Sequence, residues 1–345
     1  MGDVMMKQLK SGGFILILLL AMLAAGCGTK DGDVQPDSLN AAKEVRIGYF
    51  PNMTHIATII ALENDYFEEA VGSDIQIVTK TFADGAAFME GMSTDTIDLG
   101  TVGPTPVINN YVKNPAHQII AGAINAGAVL VVREDSDIQS VADLDGKKIA
   151  IPAIGGTQDI MLMKELKEAG LSVKLNGGTV ETIKQAPADT AALFLRKDVD
   201  AAATQEPWGV NLQHKANAKV LLDSDEFAWG NESTNTVLVA AKSFTEANPD
   251  VTTSIVQAHI KAIAFINEHP EEAVQLFIDH IKEITNQQLE TEEVTLALAR
   301  SIPTYDINEQ VLKEMTTISK EAGYIANDNI EGLINLSYLE QALQQ

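Results

Sequence analysis

The chain has 345 residues, room for two ordinary domains and for a core that needs no disulfide staples. Its 24 Lys and Arg residues face 48 Asp and Glu residues, a net charge of −24, which excludes binding to nucleic-acid phosphates and electrostatic docking on anionic lipid. The single cysteine, Cys27, excludes an intrachain disulfide framework and a cysteine-rich metal site.

Lys7 and Lys10 precede an apolar run from Phe14 to Ala25, too short to span a bilayer core of ~30 Å as a helix. A basic stretch followed by a short apolar one is the pattern of a secretory signal. It ends Leu23-Ala24-Ala25-Gly26-Cys27, which resembles a bacterial lipobox, cut before the cysteine. The branched residue usual three positions before the cysteine is Ala24 here, with Leu23 one step further back. Residues 1–26 are therefore expected to be a signal peptide and Cys27 the lipidated residue. Residues 27–44 are polar, without apolar periodicity, and read as a flexible tether.

From Val45 the chain alternates strand and helix signals. Strands are expected at 45–50, 75–78, 97–102, 118–124 and 128–132, with helices at 56–64, 84–92 and 105–112 between the first four. After the polar break at 133–137 come strands at 147–151, 179–183, 201–203 and 219–222. Helices at 157–169, 188–196 and 207–214 alternate with them. One more strand, 236–241, precedes helices at 251–268, 271–281, 292–299 and 309–321, bounded by Pro249, Pro270 and Pro303. The rhythm predicts an α/β protein with mostly parallel, doubly wound sheets. No internal repeat appears.

Several stretches in this order resemble the nitrate/sulfonate/taurine solute-binding lipoproteins of bacterial ABC importers. They are Arg46-Ile47-Gly48-Tyr49-Phe50-Pro51-Asn52-Met53-Thr54-His55, Ile97-Asp98-Leu99-Gly100, Ser140 to Ala150, Gly155-Gly156-Thr157-Gln158-Asp159 and Gln205-Glu206-Pro207-Trp208. The likeness runs from about Val45 to Tyr324. It implies the periplasmic-binding-protein type II fold, two doubly wound α/β lobes joined by a two-crossing hinge. On that basis lobe one comprises residues 45–132 plus 235–345, and lobe two residues 133–234. The crossings fall near Val132–Glu134 and Gly230–Asn235, and the C-terminal helices pack on lobe one. The resemblance also implies an extracytoplasmic, lipid-anchored monomer on the outer face of the cell membrane. It would pass a small anionic or zwitterionic ligand to permease subunits served by a separate ATPase. An aliphatic sulfonate is expected ahead of nitrate, bicarbonate, taurine or a pyrimidine vitamin precursor.

In open α/β sheets, ligands sit beyond the carboxyl ends of the strands, where helix N-termini offer free N–H groups and partial positive charge. Four turns have suitable residues. Asn52, Thr54 and His55 bring amide, hydroxyl and imidazole groups. Gly103, before Pro104, opens the backbone, with Thr105 beside it. Asn125 lies in a third polar turn, and Gly156, Thr157 and Gln158 in a fourth. Ordinary helix capping accounts equally well for any one of these turns. None of the four holds Lys or Arg, so an anion there must rest on neutral donors and helix ends. Glu206 suits a backbone amide or the cationic part of a zwitterion, and Trp208 a ligand wall or a cation–π contact. The alternative is that Glu206 merely favours its helix N-terminus and Trp208 is core. Of the histidines, His55 alone is expected at the cleft; His117, His214, His259, His269 and His280 are expected on solvated surfaces.

The chain has no Gly-x-x-x-x-Gly-Lys-Ser/Thr, no His-Glu-x-x-His and no Gly-x-Ser-x-Gly run, and its one cysteine is assigned to the anchor. No enzymatic activity, cofactor or metal is expected. A surface-anchored ligand sensor without transport is the alternative of a different class.

Overall fold

The computed structural model describes residues 42–344. The signal segment, Cys27 and most of the tether lie outside the described residues. The body opens with β1 (Glu44–Tyr49), α1 (Ile56–Glu63), α2 (Tyr66–Val71), β2 (Gln76–Thr81), α3 (Gly85–Ser93), β3 (Leu99–Val102), α4 (Pro104–Tyr111) and β4 (His117–Ala126). β1 pairs in parallel with both β2 and β3, so each connection must cross over the sheet through a helix. β4 is buried along almost its whole length, as its run Ile119 to Ile124 requires.

A second sheet follows from β5 (Ala128–Val132), β6 (Lys148–Ile151), α5 (Thr157–Glu168), β7 (Glu181–Lys184), α6 (Thr190–Arg196), β8 (Ala201–Gln205), α7 (Trp208–Ala216) and β9 (Lys219–Leu222). The chain then returns through β10 (Thr234–Ala241), which lies antiparallel between β3 and β4. It ends with α8 (Lys242–Ala247), α9 (Pro249–Glu268), α10 (Pro270–Thr285), α11 (Thr291–Ala299), β11 (Ser301–Pro303), α12 (Glu309–Glu321) and α13 (Ser337–Ala342). The strand orders are β11-β4-β10-β3-β1-β2 in lobe one and β7-β6-β8-β5-β9 in lobe two.

The strand pairing corrects two expectations. The sheets are mixed rather than mostly parallel, because β5, β10 and β11 return antiparallel beside their neighbours. β5 was expected in lobe one, yet it pairs with β8 and β9 in the second sheet. The first crossing is therefore at Gly127, not at Val132–Glu134. Gly127 has φ +75°, a left-handed turn that glycine adopts without strain, and it breaks β4 from β5.

The long helices bury one aliphatic stripe each. In α9, Ile255, His259, Ala262, Ile263 and Ile266 recur at spacings of three and four and face inward. Each large aliphatic side chain so buried contributes roughly 1.5–3 kcal/mol. Pro249 and Pro270 stand at the first positions of α9 and α10, where a missing N–H costs little.

The C-terminal helices were expected on lobe one, but α12 packs against α5 of lobe two as well as α4 of lobe one. Lys167 Nζ reaches Glu321 at 2.7 Å, Trp229 Nε1 donates to Glu314 at 2.6 Å, and Tyr324 Oη donates to buried Asp159 at 2.7 Å. No helix among the described residues is long and apolar enough to cross a membrane.

Candidate functional site

A cavity of about 460 Å³ lies between the carboxyl ends of the two sets of strands. Turns after β1, β2 and β3 line it from lobe one, and turns after β6, β7 and β8 from lobe two. The lobes touch across it. Gly103 and Thr157 come so close that a Cβ on Gly103 would sit 2.4 Å from Thr157 Oγ1. Gln158 Nε2 donates to Asn235 Oδ1 at 3.1 Å, and Asn109 Nδ2 donates to the Gly155 carbonyl at 3.0 Å. The two lobes thus meet across the cleft.

Two helices point their N-termini at this space. α4 has Gly103 as its N-cap and Pro104 in its first turn; α5 has Gly156 as its N-cap. Neither N-cap has a side chain that could take a hydrogen bond, so the first-turn N–H groups of α5 remain for another acceptor, whereas in α4 Pro104 and Pro106 have none and only the Thr105 N–H is left. Thr157 is nearly fully buried, lines the cavity, and its Oγ1 has no hydrogen-bond partner in the protein. The turn before α5 is held by Asp159, whose Oδ2 accepts from the Gly155 N–H and the Tyr324 hydroxyl, both at 2.7 Å. Burial raises the pKa of Asp159 above the usual carboxylate range, while those two donors pull it down. Gly155 itself has φ +70°, a conformation that favours glycine.

On lobe one, Asn52 caps the short 3₁₀ turn Met53–His55. Its Oδ1 accepts from the Thr54 N–H at 3.0 Å and from the Thr54 hydroxyl at 2.7 Å. His55 Nδ1 lies 2.8 Å from Thr101 Oγ1, which also meets Thr58 Oγ1. Burial pushes the pKa of His55 down to about 3, so its imidazole is neutral at physiological pH.

Of the residues singled out by sequence, Asn52, Thr54, His55, Gly103, Gly156, Thr157, Gln158 and Trp208 line the cavity. Three do not. Thr105 is buried in the first turn of α4, and Asn125 sits at the far end of β4, beside the crossing. Glu206 is fully buried behind the cleft wall. Its Oε2 accepts from the Val210 N–H at 3.0 Å, which closes the N-terminus of α7, and its Oε1 accepts from Arg300 Nη1 at 2.8 Å. Arg300 also grips Asp223, with Nε–Oδ1 at 2.8 Å. Burial raises the pKa of Glu206, opposed by the Val210 N–H and by Arg300. For Arg300, burial works against its charge, but Glu206 and Asp223 carry its pKa above the ordinary value. Glu206 thus ties the lobes together instead of meeting a ligand.

Three histidines expected in solvent are buried. His117 Nε2 donates to the Val107 carbonyl at 3.1 Å, His259 Nε2 donates to the Gly122 carbonyl at 2.8 Å, and His280 bridges Tyr49 and Glu63. Burial lowers His117 and His259 to about 4.

Sequence reasoning missed Phe50, Phe82, Asp84, Lys184, Gln205 and Asn235, which also line the cavity. Phe50 and Phe82 directly follow strand ends, and Lys184 and Gln205 are the last residues of their strands. Applying the strand-end rule to β2 and β7, and not only to the Gly-rich turns, would have found Phe82, Asp84 and Lys184.

The model of the NMT1-like family matches residues 40–278. The chain belongs to the NMT1-like family. A Bacillus subtilis (strain 168) protein named for aliphatic-sulfonate binding is 30% identical over 282 residues, covering 81% of this chain and 80% of that protein. The taurine-binding periplasmic protein of Escherichia coli (strain K12) is 27% identical over 208 residues, covering 60% of this chain and 61% of that one. Among solved structures, the alkanesulfonate-binding protein SsuA of Xanthomonas axonopodis pv. citri, bound to MOPS, superposes with a TM-score of 0.73 at 19% identity. It covers 86% of this chain and 99% of that one. This NMT1-like chain therefore has the two-lobed periplasmic-binding fold. No cluster of His, Cys, Asp and Glu that could hold a metal occurs among its described residues.

Proposed function

We propose that this chain is the extracytoplasmic solute-binding component of an ABC importer and that it binds an aliphatic sulfonate between its lobes. One observation carries the ligand class. The N-terminus of α5 has no side-chain cap and faces a cavity whose inner donors are uncharged and include the unpartnered Thr157 hydroxyl, with the positive dipole end of α4 beside it. A sulfonate offers three strong acceptor oxygens and one spread charge, which such donors satisfy without a fixed cation. The relatives named for sulfonate and taurine binding support the same class.

Cavity size argues against the smallest anions. Nitrate and bicarbonate fill about as much space as one or two waters, each roughly 30 Å³ of liquid volume. About 460 Å³ suits an anion with an organic body. A ligand touching both lobes favours the closed state by as much as it prefers that state, and the closed form is what a permease would read. The chain binds and releases; it performs no chemistry. It works as a monomer, anchored by lipid on Cys27 to the outer face of the membrane, while a separate chain supplies ATP hydrolysis.

The test is a thermal-shift and calorimetric screen of residues 28–345 against alkanesulfonates, taurine, nitrate, bicarbonate and aminopyrimidines. A ligand that binds only the folded state must raise the melting temperature. An alkanesulfonate is expected to give the largest rise. A response to nitrate or a pyrimidine alone overturns the sulfonate reading. Cys27→Ser is expected to move the protein out of the membrane fraction; retention there overturns the anchor.

A further inference from the structure

Among the side chains lining the cleft, only Asp84 and Lys184 carry charge, since His55 is neutral. They stand on opposite lobes. Asp84 is the N-cap of α3, and its Oδ1 accepts from the Ala87 N–H at 3.0 Å. Its Oδ2 accepts from Lys184 Nζ at 2.8 Å, and Lys184 is the last residue of β7. The Lys184 side chain is 55% exposed and that of Asp84 22%, so the pair stands at the mouth.

A carboxylate at this point has no structural necessity. One oxygen suffices to cap α3, and Asn or Ser caps a helix as well as Asp does. A bare carboxylate would also repel the anion that the inner donors suit. Lys184 cancels that charge. In a complementary sense, the same carboxylate is the one anionic side chain lining the cleft, suited to a ligand cation.

The spacing fits a short linker. Strands neighbour one another at about 4.8 Å. The Asp84–Lys184 pair stands above β2 and β7, and the Gly103–Thr157 contact above β3 and β6. The two are separated by two strand spacings in lobe one and one in lobe two, roughly 5–10 Å. Two or three carbons with bonds of about 1.5 Å join groups at the near end of that range.

We propose that Asp84 is an ammonium-recognition residue whose counter-ion is Lys184, so that Lys184 sets the preference between plain alkanesulfonates and aminosulfonates. This rests on the sulfonate reading above. With Lys184 in place, a zwitterion must displace an ion pair to reach Asp84, whereas a plain sulfonate need not. Removing the lysine leaves Asp84 open to an ammonium and repulsive to a plain anion.

Ethanesulfonate and taurine share a sulfonate and a two-carbon chain and differ in the ammonium, so their affinities are measured by calorimetry on the wild type, Lys184→Met, Asp84→Asn and the double variant. Lys184→Met is expected to raise the taurine-to-ethanesulfonate affinity ratio at least about tenfold, the effect of one unscreened charge at such a distance. The double variant is expected to return the ratio to within about threefold of the wild type. Asp84→Asn keeps the α3 cap and should lower the ratio in either background. An equal loss for both ligands in Lys184→Met overturns the proposal and leaves the pair as a mechanical latch. Binding of neither ligand to any variant overturns the sulfonate reading itself, and this inference with it.

Discussion

Helices α5 and α7 leave neighbouring strands of lobe two by comparable turns, yet their N-termini end differently. α5 begins after Gly155-Gly156 and leaves its first donors to the cleft. α7 begins after Glu206-Pro207, and the Glu206 carboxylate takes the Val210 N–H while Arg300 of the other lobe holds the carboxylate from behind. One helix end is open to a ligand and the other is sealed by the protein's own charge. A strand-end turn is therefore a binding candidate only if nothing in the chain already satisfies it.

The sealed end gives the largest effect. Arg300→Met leaves Glu206 buried without its cation and is expected to cost about 3–5 kcal/mol in urea unfolding. Adding Glu206→Gln should recover much of that loss. If Arg300→Met alone costs under about 1 kcal/mol, α7 is not sealed as described.

The open end faces one buried imidazole, His55, and His117 and His259 are buried elsewhere in lobe one. His55 near 3, and His117 and His259 near 4, are neutral in the folded protein, while the unfolded chain takes up protons near pH 6.5. Their contribution to stability is complete above pH 6.5 and falls as the pH drops from there towards 4. Each group removes up to about 1.4 kcal/mol per pH unit. Urea midpoints should therefore fall between pH 7 and 5, while ligand affinity between pH 8 and 6 stays flat. A break in affinity near pH 6.5 would mean that His55 titrates at the site.

Gly103→Ala sharpens the comparison from the facing side. Its Cβ would meet Thr157 Oγ1 where the lobes touch across the cleft. Ligand affinity should fall at least about tenfold, with little change in the stability of the empty protein. Thr157→Val has the smallest effect, roughly a fivefold loss of affinity for one hydrogen bond. The empty protein should be no less stable, because the hydroxyl it loses has no partner. Destabilisation without a loss of affinity would assign Thr157 to the core.

The open end was legible in the sequence and the sealed one was not, for a physical reason. Gly155-Gly156-Thr157-Gln158 follows a strand and begins a helix, so its role is written within a few residues. Glu206 depends on Arg300, 94 residues further on, and local pattern carries no sign of such a partner. β5 was misplaced on similar grounds: Ala128 to Val132 is apolar throughout and suits either sheet, and Gly127 is the one local mark of the change. His259 was legible and overlooked, since it lies four residues from both Ile255 and Ile263 on the buried face of α9.

Lobe two departs from the first sheet after β4 and rejoins it at β10, and these two strands are hydrogen-bonded neighbours. The intervening stretch is an insertion whose ends lie side by side, so evolution or a protein engineer could exchange it as a cassette. A donor segment from a relative would need to preserve the seams between the halves, among them the Glu206 and Asp223 carboxylates for Arg300, the Asp159 acceptor for Tyr324, and the Lys184 partner for Asp84. New solute preferences could then be grafted onto an unchanged half.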